Sequence, residues 1–331
     1  MKKPEIAVVT GASAGLGRAI VREFAARGAH IGLIARGRDG LEAARREVEQ
    51  MGGRALALPC DVADPAAVEE AASQVENELG PIDIWVNDAF AGIFAEFKDI
   101  QPDEYRRVTD VTYLGQVWGT RAALKRMLPR DRGVIVSVGS ALAYRSIPLQ
   151  SAYCAAKHAV RGFLASVRCE LIHNKSRIKI TEVHMPALNT PQFSWVLNRM
   201  PRKTQPVPPI FQPEVGARAV YYAAHHPRRE FYVGRSAVMA IVGNKVAPDV
   251  LDHYLGDTGY DSQQYDGADD PNRPNNLFHP LSGDWGAHGN FDSRAEAHSP
   301  QLWLDTHRKW VALGVLGLSA VAGAVAAKRA A

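Results

Sequence analysis

Residues Thr10-Gly11-Ala12-Ser13-Ala14-Gly15-Leu16-Gly17 follow the β-branched run Ile6-Ala7-Val8-Val9-Thr10 and open an amphipathic stretch of helical length. Three glycines at a strand-to-helix turn permit a tight reversal, close approach of backbone to a pyrophosphate, and close packing of helix on strand. The helix N-terminus behind them presents unpaired N–H groups and the positive end of its dipole to an anion. This context gives the glycine trio its weight: it marks the first turn of a dinucleotide-binding α/β unit.

Working outward, the same alternation continues. Strands are expected over residues 31–35, 55–58, 82–87, 134–138 and 178–184. Helices are expected over 15–27, 40–51, 65–79, 102–128, 151–173 and 214–225, with a further strand at 231–242. Gly28 and Gly52 sit where a helix end takes positive φ, and Asp64-Pro65 reads as an N-cap followed by Pro at the first helical position. Alternating β and α of these lengths implies parallel strands joined by right-handed crossovers, hence a doubly wound sheet. Residues 186–213 break the pattern with seven prolines alongside Phe193, Trp195 and Phe211, and read as a substrate lid for an apolar compound.

Charge divides the chain. Of 331 residues, 39 are Lys or Arg and 35 Asp or Glu, for a net +4. Residues 1–248 carry +9, residues 249–300 carry −8, and the remainder +3. Three domains follow: 1–248, an acidic Gly/Pro/Asn-rich loop over 249–307, and a terminal hydrophobic helix over 308–331. Residues 310–327 hold no charge and are flanked by basic pairs, so they are expected either to anchor a membrane or to pack in a core or oligomer contact. The ordinary globular composition excludes disordered and fibrous classes, and no nucleic-acid motif accompanies the basic charge. Cys60, Cys154 and Cys169 show no metal or disulfide spacing, and His279, His288 and His298 lie far apart in sequence. No metal is expected, and the thiols read as those of an intracellular protein.

Chemistry enters at Ser140, Tyr153 and Lys157. Tyr153 and Lys157 are four residues apart on one helix, so phenol and ammonium share a face. A neighbouring cation favours the phenolate and suits the pair to acid/base work. Ser140, at the end of a strand, brings a hydroxyl to a substrate oxygen. At the end of the second strand Arg36, helped by Arg18 after the last glycine, points to a ribose 2′-phosphate and so to NADP(H) over NAD(H), while Asp39 keeps NAD in play.

Over about residues 4–243 these motifs resemble the short-chain dehydrogenase/reductase family, which implies a Rossmann-type domain. The resemblance implies that Tyr153 exchanges a proton, Ser140 hydrogen-bonds the carbonyl or alcohol oxygen, and Lys157 holds the nicotinamide ribose and lowers the tyrosine pKa. It also implies a cofactor site of Gly11, Ser13, Ala14, Gly15, Leu16, Gly17, Asp61, Val62, Asn87, Ala89, Pro186 and Thr190. Homodimers or homotetramers through helices 102–128 and 151–173 are implied as well. Three positions depart from the family pattern. Asn87-Asp88-Ala89-Phe90 puts a ring where glycine normally sits, Thr112 replaces the helix asparagine and is assigned a relay water, and Pro186 precedes Ala187. The expected activity is hydride transfer between nicotinamide and a small-molecule carbonyl or alcohol. The rival reading is a cofactor-binding regulatory or scaffolding protein with little turnover, motivated by Phe90 and Thr112.

Overall fold

In a computed structural model, which describes residues 3–308, seven strands form one parallel sheet. They are β1 (Ile6–Thr10), β2 (His30–Ala35), β3 (Ala55–Pro59), β4 (Ile84–Asn87), β5 (Val134–Ser140), β6 (Lys179–Met185) and β7 (Glu230–Tyr232). Their order is β7-β6-β5-β4-β1-β2-β3, so the chain starts in the middle, winds one way to β3 and returns to wind the other way from β4. The carboxyl ends of β1 and β4 therefore splay apart at the switch point, where this architecture forms its crevice.

Helices cover both faces. On one side α1 (Gly15–Ala25), α2 (Arg38–Gln50) and α7 (Pro213–His225) pack Ile20, Phe24, Leu41, Val48 and Val220 against the sheet. On the other, α3 (Pro65–Glu78), α4 (Pro102–Thr109), α5 (Gly115–Met127) and α6 (Ser151–His173) supply Val68, Val75, Val108, Met127, Val160 and Leu164. The strands are buried on both faces, which is why they read as continuous apolar runs rather than as alternation. The capping signals act as the sequence indicates. Asp64 accepts from Ala66 N and Ala67 N, while Gly28 and Gly52 take φ of 81° and 84°.

Three expectations are corrected. The helix expected over 102–128 is interrupted: Asp110–Leu114 form a π-helical turn between α4 and α5. The strand expected over 231–242 stops at Tyr232. Gly234 takes φ 79° and the chain re-enters a helix, α8 (Arg235–Val246), whose Ala237 and Ile241 are the buried positions. An apolar run of that kind does not separate strand from helix by periodicity. The acidic extension is not simply loop. It contains α9 (Pro248–Ser262), a strand Gln264–Ala268 paired antiparallel with Arg202–Thr204, and the helix α10 (Pro300–Thr306). The uncharged run 310–327 lies outside the described residues, and among the described residues no helix is long and apolar enough to cross a membrane.

Candidate active site

At the carboxyl ends of the strands lies a cavity of about 650 Å³. Its wall includes Gly11, Ser13, Ala14, Gly15 and Leu16 from the first turn, and Arg36, Asp61 and Val62 from the ends of β2 and β3. Ala89 follows β4, Ser140 ends β5, Tyr153 and Lys157 come from α6, and Pro186 and Thr190 follow β6. The fold thus gathers fourteen of the residues expected from sequence onto one surface.

The first turn is shaped by its glycines. Gly11 has φ 76°, and a Cβ there would lie 3.1 Å from the backbone of Ala89; a Cβ on Gly17 would lie 2.2 Å from the Gly11 carbonyl. Gly17 therefore lets α1 sit close on the turn rather than touching the cavity. Thr10 Oγ1 accepts from both Asp88 N (3.0 Å) and Ala89 N (3.1 Å), which locks the turn after β4 against β1.

Ser140 and Tyr153 line the same cavity, and the Ser140 hydroxyl is near enough to act on the phenol as a hydrogen-bonding group. Lys157 Nζ, fully buried, donates to the Val138 carbonyl at 2.7 Å and stands 5.6 Å from the Tyr153 ring centroid. Burial is the largest influence on the phenol and pushes its pKa up. The Ser140 hydroxyl pulls it back in part, and Asp88 adds to the rise. The net direction is upward, against the lowering that the resemblance implies, so the phenol is held protonated. Burial likewise lowers Lys157 and raises Asp88, each opposed by the other's charge. Asp88 Oδ2 lies against the first turn, where a Cβ on Gly11 or Gly17 would come within 3.2 or 2.9 Å of it, so this carboxylate stands between the turn and the lysine.

Four expected site residues stand behind the wall instead. Gly17 is one. Arg18, 1% exposed, is bonded to Glu47 through Nε (2.8 Å) and to the carbonyls of Ser13 and Gly40; it fastens α1 to α2 and is turned away from any phosphate. Asn87 accepts from Trp85 Nε1 (2.8 Å) and donates to Thr120 Oγ1 (3.0 Å), a fully buried bracket. Thr112 donates to the Ala91 carbonyl and accepts from Ala91 N, both at 2.9 Å. Its one hydrogen is therefore committed to the chain. The π turn that carries it is where a helix adjusts to place one side chain against a functional loop.

The sequence reading missed the part played by the extension. Residues 276–286 form a strap across the end of the cavity lined by the first turn, Arg36 and Asp61. Arg36 donates to the carbonyls of Asn276, Leu277 (3.2 Å) and Phe278 (3.0 Å). Arg107 bridges the Leu277 carbonyl and Asp61 Oδ2. Asp39 accepts from Gly283 N at 2.6 Å, and Gly15 N donates to the Gly286 carbonyl at 2.9 Å. Trp285 of the strap meets Trp195 of the lid edge-to-face, with centroids 5.1 Å apart. The only sequence signal for this contact was the scatter of aromatics through an acidic loop. Phe90, in the departure after Asn87, packs edge-to-face on Tyr153 at 5.8 Å.

The residues fit a nicotinamide dinucleotide: a glycine turn at a helix N-terminus without a side-chain cap, Arg36 and Asp61 at the far end, and the Ser140–Tyr153–Lys157 group at the near end. The family model for short chain dehydrogenases matches residues 5–198. An uncharacterized oxidoreductase YxnA of Bacillus subtilis is 30% identical over 280 residues, 83% of this chain and 78% of that protein. A fatty acyl-CoA reductase of Acinetobacter baylyi is 31% identical over 75% of this chain and 82% of its own length. An alcohol dehydrogenase from the archaeon Thermococcus sibiricus, solved with 5-hydroxy-NADP, superposes with a TM-score of 0.59 at 28% identity, covering 69% of this chain and 94% of that one. By its matched fold and first-turn glycines, the chain belongs to the short-chain dehydrogenase/reductase family of NAD(P)-dependent oxidoreductases.

Proposed function

We propose that this oxidoreductase moves a hydride between NADP(H) and the carbonyl or secondary alcohol of an apolar substrate, with Tyr153 as the acid/base. The observation that carries the reading is the convergence of Ser140, Tyr153 and the buried Lys157 on one cavity wall beside the first-turn glycines. A bound nicotinamide contributes the hydride chemistry. In the reducing direction the Ser140 hydroxyl holds the carbonyl oxygen, and the protonated Tyr153 gives that oxygen its proton as the carbon gains the hydride. The phenolate left behind is compensated by the Lys157 ammonium and regains a proton before the next turnover. In oxidation the same atoms run in reverse.

Arg36 supports the NADP(H) preference because it reaches the cavity wall at the ribose end. The strap carbonyls that it holds are the groups a 2′-phosphate would replace. Apolar substrate is supported by Phe94, Phe193, Trp195 and Val196 in the cavity lining, and a relative named for a fatty acyl-CoA agrees with it. The test is NADPH consumption with aldehydes and ketones of increasing chain length, beside NADPH and NADH binding followed by fluorescence. Turnover that rises with chain length and tighter NADPH binding support the proposal. Tight cofactor binding without reduction of any carbonyl would favour the cofactor-binding regulatory protein. On its sequence, the run 310–327 is proposed as a membrane anchor; equal solubility of the full chain and a chain ending at Lys309 contradicts that.

A further inference from the structure

Beside Ser140, on the neighbouring strand β6, Glu182 and His184 stand two residues apart with side chains fully buried. Glu230 on β7 pairs with Glu182 in register. His184 Nδ1 lies 3.2 Å from the Ser140 carbonyl. A carbonyl only accepts, so Nδ1 carries the hydrogen and the neutral ring presents a lone pair at Nε2. That Nε2 and both carboxylate oxygens of Glu182 are buried without any hydrogen-bond partner. Glu230 Oε2 accepts from the hydroxyls of Tyr144 and Tyr232, the latter at 2.8 Å.

All the unpartnered atoms are acceptors, and buried acceptors of this kind call for a proton or a cation. One ligand atom from each of Glu182, His184 and Glu230 lies within 4.8 Å of the others, and His184 Nε2 is 3.8 Å from Glu182 Oε1. Bonds of ~2.1 Å in a tetrahedral shell put ligand atoms roughly 3.4 Å apart, so a small inward movement closes the set. We propose that Glu182, His184 and Glu230 bind a divalent transition-metal ion, with Zn²⁺ the best fit.

One imidazole with two carboxylates suits Zn²⁺, whereas Mg²⁺ and Ca²⁺ prefer all-oxygen shells. The outer contacts have the form that supports a metal: the ring N–H is held by a carbonyl and the Glu230 carboxylate by two tyrosines. Room is preserved by Gly139, where a Cβ would lie 2.7 Å from His184 Nδ1 and 2.9 Å from Glu182 Oε1. Of the nearby cations, Lys157 donates to the Val138 carbonyl and Arg229 lies 3.4 Å from Glu230 Oε1, and none donates to the unpartnered atoms of Glu182 and His184. Arg161 stacks on Tyr144 and donates to Ala143 O, and Arg168 donates to Ile180 O and Arg229 O. Through His184 the ion would brace the backbone of Ser140; it touches neither substrate nor cofactor.

The test is metal content and affinity of the full chain. After chelator dialysis, Zn²⁺ and Co²⁺ are titrated separately, with elemental analysis and the visible d–d absorption of Co²⁺ as readouts. One equivalent is expected, with Glu182→Gln and His184→Ala weakening Zn²⁺ binding roughly 100-fold and Tyr232→Phe about 10-fold. Should the two core variants fail to fold, Glu230→Gln at the partly open rim replaces them, with the same loss expected. A wild-type chain that takes up no stoichiometric Zn²⁺ or Co²⁺ overturns the proposal. So does binding unaltered by these substitutions, which would place the metal on surface histidines.

Discussion

The carbonyl of Gly286 accepts the N–H of Gly15 at 2.9 Å, so a residue far along the chain caps the turn that a dinucleotide phosphate would approach. The first turn and the extension thus share one site. A cofactor that binds the turn through Gly15 N must displace this contact, and the strap can then settle over it. Trp285→Ala removes the ring that meets Trp195. An edge-to-face pair contributes about 1 kcal/mol, so cofactor dissociation is expected to quicken about 5-fold. Stopped-flow fluorescence measures it, and an unchanged off-rate contradicts the role given to the strap.

Asp88 shapes the titration of the site. Its charge raises Lys157 against the lowering effect of burial and adds to the rise that burial gives Tyr153. Asp88→Asn removes that anion, so both groups lose their protons at lower pH. The alkaline limb of kcat/KM for carbonyl reduction is expected to move down by about one pH unit. A limb that stays in place, or moves up, contradicts the coupling.

Thr112 is a bracket for the cavity wall. Thr112→Val keeps the shape but leaves both backbone groups of Ala91 without their partner. Unpaired buried groups of this kind cost about 2 kcal/mol. Urea denaturation is expected to show that loss, and Thr112→Ser to restore most of it. A neutral valine variant contradicts the assignment.

Glu47 makes the Arg18 cluster acid-sensitive. Burial alone would raise its carboxyl, but hydrogen bonds from Arg22 and Arg18 outweigh this and hold it at about 2. The stability it contributes is present above the ordinary carboxylate pKa and is lost as pH falls from about 4.5 towards 2. Glu47→Gln is expected to cost about 2 kcal/mol at neutral pH, discounted for its partial exposure, with the gap closing across that window. A gap independent of pH contradicts the ion pairing.

Much of this was legible in the sequence because it is local. The glycine turn, the Asp64 cap and the four-residue spacing of Tyr153 and Lys157 are short-range signals whose geometry is fixed by strand and helix. What escaped depends on distant partners. Arg18 could be read as a phosphate ligand until Glu47, on a different helix, is seen to claim it. The three carbonyls on Arg36 come from residues about 240 positions later, with no side-chain signature to announce them. Glu182 and His184 sit inside a strand that reads as core, and only the neighbouring β7 brings Glu230 to them.

The most direct measurement is carbonyl reduction by Tyr153→Phe with NADPH. The phenylalanine ring keeps the packing on Phe90 and removes only the proton donor. Turnover is expected to fall by about 10²-fold or more while NADPH affinity stays within a few-fold of wild type. Turnover retained within a few-fold would contradict Tyr153 as the acid/base.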